Sequence, residues 1–260
     1  MTDTPSRQDP SARGPARGTA GDDRGTGWNT VTAPPVTTLL LRHGDTPLSP
    51  EKRFSGVSEV GLSEEGVAQA RAAARRLAGR GGISTVLSSP LRRARQTAEI
   101  VADELGRRPV VVDDDLRETD FGAWEGLTLE EARAAWPDEV AAWMNDPAVA
   151  PPGGESFTDT LARMQRVRRR IVERPPAGAV LLVTHVGAIK TLIVMALQAP
   201  LDSMHRMFLG SACLSEIDWF RDGTAVVRAF NDTAHLDAPA RRPAPADAPA
   251  VGASAEDAAR

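Results

Sequence analysis

The 260-residue sequence predicts an α/β fold, a three-layer sandwich with a mainly parallel central sheet and helices on both faces. First, short apolar runs alternate with longer stretches of helical periodicity, and strand–helix–strand–helix order implies parallel strands covered on both sides. Second, cap and turn residues fall at the joins between these stretches. Third, the larger apolar residues are concentrated in about residues 36–237, enough for one substantial core. The flanks differ sharply. Residues 1–35 hold five glycines and five prolines, and residues 238–260 hold ten alanines and four prolines. Neither flank can bury enough apolar surface to offset the entropy of ordering it, so both are expected to be disordered tails.

Within the domain, Val36 to Leu41 reads as a strand that ends at Arg42-His43-Gly44. Ser63 caps a helix running to about Ala78, with Glu64 and Glu65 in its first turn and Gly79 after its end. Thr85-Val86-Leu87 is a second short strand, followed by a helix from Arg92 to Leu105 and a third strand at Val110-Val111-Val112. Helices are expected over 128–144 and 155–173, then a buried strand from Ala179 to Val183 and an apolar helix over 187–198. Strands at 213–219 and 224–230 close the domain as a hairpin through Asp222-Gly223.

Composition narrows the function classes. A net charge of -4, from 31 basic and 35 acidic residues, provides no basic excess for nucleic acid. No apolar run approaches the roughly 18 residues of a membrane span. The single cysteine, Cys213, excludes an internal disulfide and a cysteine-based zinc site, and fits a reducing, cytoplasmic setting. No apolar stretch follows the first methionine, so no signal peptide is expected.

Ligands of open parallel sheets gather at the carboxyl ends of the strands. Arg42-His43, the segment from Ser88 to Arg93, and Thr184-His185 all begin there. His43 is either a histidine that closes a strand or a nucleophile, with Gly44 allowing close backbone approach. His185 occupies the same topological place and has the same two readings, a satisfied core imidazole or an anion ligand. Arg93 sits near a helix start, where a cation opposes the dipole unless an anion balances it, and Arg92 beside it is barely distinguishable. Glu118 follows the third strand, as a surface carboxylate or a functional one.

The residues that carry a wider likeness stand in order along the chain: Leu41-Arg42-His43-Gly44-Asp45-Thr46, Ser89-Pro90-Leu91-Arg92-Arg93-Ala94-Arg95-Gln96-Thr97-Ala98, Leu116-Arg117-Glu118, and Thr184-His185. Together they resemble the histidine phosphatase superfamily, the phosphoglycerate mutase-like group. Glu118-Thr119-Asp120-Phe121-Gly122-Ala123-Trp124-Glu125-Gly126 and Pro151-Pro152-Gly153-Gly154-Glu155-Ser156 resemble the branch of the alpha-ribazole phosphatases. The chain is also similar to the acid phosphatase half of actinobacterial bifunctional ribonuclease H/acid phosphatase proteins, and 35 residues ahead of the domain are too few for the ribonuclease half.

The resemblance implies that His43 attacks phosphorus and becomes phosphohistidine. Arg42, Arg93 and His185 hold the phosphoryl oxygens, and Glu118 gives a proton to the leaving oxygen and then assists water. It places Arg53, Ser55 and Gly56 near the substrate, and it implies no metal and no cofactor, since cationic side chains supply the positive charge. The expected activity is an acid phosphatase-type phosphomonoesterase acting on a small phosphorylated metabolite such as alpha-ribazole phosphate or a sugar phosphate. No nucleic-acid or membrane partner is expected, and the chain is expected to be a monomer or homodimer. The alternatives are a cofactor-dependent phosphoglycerate mutase and a non-catalytic phospho-ligand binding protein. Asp45 stands where glutamate is commoner in the family, a small change outside the core residues, and Pro47-Leu48-Ser49-Pro50 stands where the mutases show Trp-Asn, which weighs against the mutase. Glu125 and Glu155 read equally as pocket or loop residues, and Arg166, Arg168, Arg169 and Arg170 as a solvated helix face.

Overall fold

The computed structural model describes residues 34–236, so both expected tails lie outside the described residues apart from Pro34 and Pro35. Six strands form one sheet: β1 (Val36–Arg42), β2 (Ile83–Ser88), β3 (Val110–Val112), β4 (Ala179–Thr184), β5 (Leu214–Trp219) and β6 (Ala225–Asp232). Their spatial order is β3-β2-β4-β1-β5-β6. The pairs β3/β2, β2/β4 and β4/β1 run parallel, and β5 and β6 add an antiparallel hairpin beside β1. The sheet is therefore mainly parallel, as the alternation of elements implied.

Alternate residues of the central strands face opposite layers, as strand geometry requires. Leu39 and Leu41 of β1, with Leu181 and Val183 of β4, pack on α1 (Glu64–Arg80) and α2 (Arg92–Glu104). Leu40 and Leu182, from the same strands, pack on α5 (Phe157–Glu173) and α6 (Val186–Leu197). β4 is buried along its whole length, consistent with a strand covered on both faces. A smaller apolar cluster of Trp124, Val140, Trp143, Phe157 and Met204 is built around α3 (Leu129–Ala135) and α4 (Pro137–Asn145).

Two boundaries differ from the sequence reading. The single helix expected over 128–144 is two, because Pro137 lacks an N–H and starts α4 at its first position, while Trp136 leaves helical geometry between them. The first helix also runs through Gly79. It stops at Gly81, whose φ of 68° suits glycine and whose N–H reaches the Leu77 carbonyl. Arg166 and Arg170 are not simply solvated: they pair with Asp115 and Asp113, and Arg168 lies over the Trp219 ring. Among the described residues no helix is long and apolar enough to cross a membrane.

Candidate active site

Parallel pairing aligns three strand ends. Arg42 of β1 is in register with Thr184 of β4, and Ser88 of β2 with Val183 of β4. The next residue of each strand leaves the sheet side by side with its neighbour: the His43 N–H bonds the Thr184 carbonyl, and the Ser89 N–H bonds the Val183 carbonyl, each at 3.0 Å. His43 and His185 consequently meet, with ring centroids 5.0 Å apart.

The hydrogen bonds of His43 define its tautomer. Nδ1 faces the Gly44 carbonyl at 2.7 Å and must donate, whereas Nε2 receives the Arg93 Nε–H at 3.2 Å and must accept. The lone pair therefore sits on Nε2. Burial, with Arg42 and Arg93 adjoining, holds the imidazole well below its ordinary pKa, so it stays neutral. Gly44 also has a packing use. A Cβ there would run into the Gly66 carbonyl in the first turn of α1, so the glycine permits helix packing.

His185 is fully buried, and burial followed by Arg93 depresses its pKa in the same way. Its Nε2 lies 2.7 Å from Ser89 Oγ, which also accepts the Leu91 N–H at 3.3 Å. A hydroxyl oxygen that accepts from Leu91 is free to give its own proton to Nε2, leaving the other ring nitrogen as a donor. That nitrogen, Nδ1, is buried and has no partner. Arg42 gives one terminal nitrogen to the Leu209 carbonyl at 2.6 Å, while its buried Nε also lacks a partner.

Arg93, 0% exposed, is fastened from the far side. Its terminal nitrogens donate to the carbonyls of Ser55, Gly56 and Ser58, each at 2.8 Å. The loop that supplies these carbonyls is seated by Glu125, whose Oε1 accepts the Gly56 and Val57 N–H groups at 2.6 and 3.2 Å. Ser55 and Gly56 thus reach the site mainly through their backbone. Arg53 lines the cleft, but its guanidinium is drawn aside to Glu51, Glu131 and the Gly126 carbonyl.

Glu118 reaches the same place from the turn after β3. The Thr184 hydroxyl holds the Leu116 carbonyl at 2.6 Å, and buried Arg163, paired with Glu155, holds the carbonyls of Asp115 and Arg117. The Glu118 carboxyl accepts the Thr119 and Gly187 N–H groups at 2.9 Å. Those contacts favour the anion, yet burial outweighs them and pushes its pKa up. Gly187 opens α6 against this carboxyl with no room for a Cβ. Lys190, one turn further along α6, is brought down by burial to about 8.

A cleft of about 380 Å³ opens above these groups, lined by Arg42, His43 and Glu118 at its base and by Lys52, Phe54, Phe121 and Phe208 further out. The structure thus gathers Arg42, His43, Arg93, Glu118 and His185. Ser89, Gly187 and Phe208 were not singled out as site residues from the sequence, and of the two readings left open for Glu125 the structure shows the loop anchor. Of these, Ser89 had a visible signal, its place directly after a strand aligned with the two histidine strands.

The sequence profile described as the histidine phosphatase superfamily (branch 1) matches residues 38–233. A bifunctional protein of Mycobacterium tuberculosis is 48% identical over 210 residues, which are 81% of this chain and 57% of that protein. The chain therefore spans little more than half the length of that curated relative. A probable phosphoglycerate mutase of Cronobacter sakazakii is 34% identical over 77% of this chain and 95% of its own. The crystal structure of the alpha-ribazole phosphatase from Shigella flexneri superposes with a TM-score of 0.69 at 29% identity, covering 76% of this chain and 97% of that one.

Proposed function

The chain belongs to the histidine phosphatase superfamily, and from that premise we propose that it is a phosphatase that hydrolyses a small phosphomonoester through a phosphohistidine formed on His43. The observation that carries this reading is the meeting of the two imidazoles at 5.0 Å with unpartnered buried nitrogens, Arg42 Nε and His185 Nδ1, in the same group of residues. A buried donor left without a partner costs about 1–3 kcal/mol, and phosphoryl oxygens would satisfy both.

In the first step the His43 Nε2 lone pair attacks phosphorus. The Arg93 Nε–H that it accepted passes to a phosphoryl oxygen, which Arg42 and His185 also bind, so positive charge and donors face the oxygens that gain negative charge. The bond from phosphorus to the ester oxygen breaks, and the Glu118 carboxyl transfers its proton to that oxygen, releasing the alcohol. In the second step the Glu118 carboxylate takes a proton from water while the water oxygen attacks phosphorus. The P–N bond breaks, inorganic phosphate leaves, and His43 and Glu118 return to their starting states. The two pKa displacements serve this cycle in opposite senses: a neutral nucleophile, and a carboxyl that keeps its proton to higher pH than usual.

His43→Ala should lower phosphate release from p-nitrophenyl phosphate on the order of a thousandfold or more. Wild-type protein quenched during turnover of labelled substrate should carry an acid-labile phosphoryl group that the variant lacks. An active His43→Ala enzyme would overturn the assignment. The physiological substrate is sought by ranking kcat/KM over a panel that includes alpha-ribazole phosphate and sugar phosphates. Identity to a probable phosphoglycerate mutase supports a second reading, in which another phosphoglycerate replaces water as the acceptor. Interconversion of 2- and 3-phosphoglycerate faster than phosphate release would favour it.

A further inference from the structure

Phe208 is 72% exposed, more so than any other large apolar side chain among the described residues. An isolated apolar side chain in water is ordinary on a protein surface. This one is not isolated: it lines the cleft above His43 together with Leu48, Phe54, Phe121 and Val186. Nor is its backbone loose. Neighbouring Leu209 is buried and its carbonyl accepts from Arg42, the Gly210 N–H donates to Asn231 Oδ1 at 2.8 Å, and the Ala212 N–H donates to the His43 carbonyl at 3.1 Å. The ring is therefore carried next to a segment tied to the residues proposed to bind phosphate. Beside Arg42, His43 and Glu118, the cleft wall combines these apolar side chains with Lys52 and Arg53, and polar groups can orient one end of a ligand while apolar walls take up the other.

We infer that the leaving alcohol of the phosphomonoester carries a flat, apolar body that stacks on Phe208, which makes Phe208 a specificity-determining residue. This deepens the phosphatase reading and rests on it. The fixed backbone matters, because a platform that is already ordered loses little freedom when a ring settles on it. Offset or edge contacts between rings add to the area that is covered.

The test uses two substrates with alkoxide leaving groups of the same kind, 2-(1-naphthyl)ethyl phosphate and butyl phosphate, so that the chemical step is matched. Wild-type protein should prefer the naphthyl ester in kcat/KM. Phe208→Ala should reduce that preference about tenfold through KM, and Phe208→Trp should restore it. The corresponding phosphonates, titrated by calorimetry, read the same preference without turnover and should lose it by the same factor. No preference in the wild type, or an equal loss on both ligands in Phe208→Ala, would overturn the inference while leaving the phosphatase standing. If neither ester nor p-nitrophenyl phosphate is hydrolysed, the phosphatase reading fails and, with no alcohol leaving, this inference fails with it.

Discussion

Arg93 divides its donors between holding and acting. Its terminal nitrogens are committed to the Ser55, Gly56 and Ser58 carbonyls, which leaves Nε–H to face His43. The 55–58 loop is seated in turn by the Glu125 carboxylate, so a residue that touches neither His43 nor the cleft base sets the angle of the guanidinium. Glu125→Ala should lower kcat roughly 10- to 100-fold, the usual cost of a small misplacement at a reacting centre. Glu125→Gln should recover most of it, since an amide oxygen accepts the same two N–H groups. In an Arg93→Ala background the Glu125→Ala change should add little, and steady-state kinetics of the four proteins form the cycle that decides. The five gathered residues were legible in the sequence because each stands at a strand end or inside an ordered motif. Their supports were legible only in part: Glu125 read equally as a pocket or a loop residue, because it acts through backbone N–H groups nearly seventy positions earlier, a pairing that leaves no local pattern.

The position of Glu118 depends on α5 as a whole, because that helix carries Arg163 under the 115–118 turn. Its start is held by a capping box in which Ser156 Oγ accepts the Asp159 N–H at 3.1 Å and the Asp159 carboxylate accepts the Ser156 N–H at 3.1 Å. Ser156→Ala should destabilise the fold by about 1 kcal/mol, read as a lower urea midpoint with unchanged slope. Strands and long helices were recoverable from periodicity for the same reason that they are stable: each buries one face or both. The break at Trp136-Pro137 was missed because apolar spacing continues across it, although Pro137 itself signalled a helix start. Gly79 was mistaken for a terminus because glycine both weakens a helix interior and ends helices. Only the backbone angle at Gly81 separates the two uses.

Across the whole molecule, the burial that prepares the site also couples it to pH. His43 and His185 remain neutral in the fold well below 6.5, the value near which the unfolded chain protonates them. As pH falls through 6.5 and below, the unfolded state binds more protons and stability drops. Glu118 acts with the opposite sign: its folded pKa is raised above the ordinary 4.5, so its contribution weakens as pH rises past that value. Between pH 7 and pH 5 the two imidazoles should prevail. Calorimetry should therefore show Tm falling over that interval, and falling less in His185→Gln. A wild-type Tm that rises on acidification would contradict the burial of both imidazoles in neutral form. The strand order has a consequence during synthesis. β4 sits between β1 and β2, so His43, made early, waits for a strand made late before His185 can stand beside it. If the proposed phosphohistidine chemistry holds, a chain that ends before β4 should release no phosphate, because His43 then has no His185 beside it.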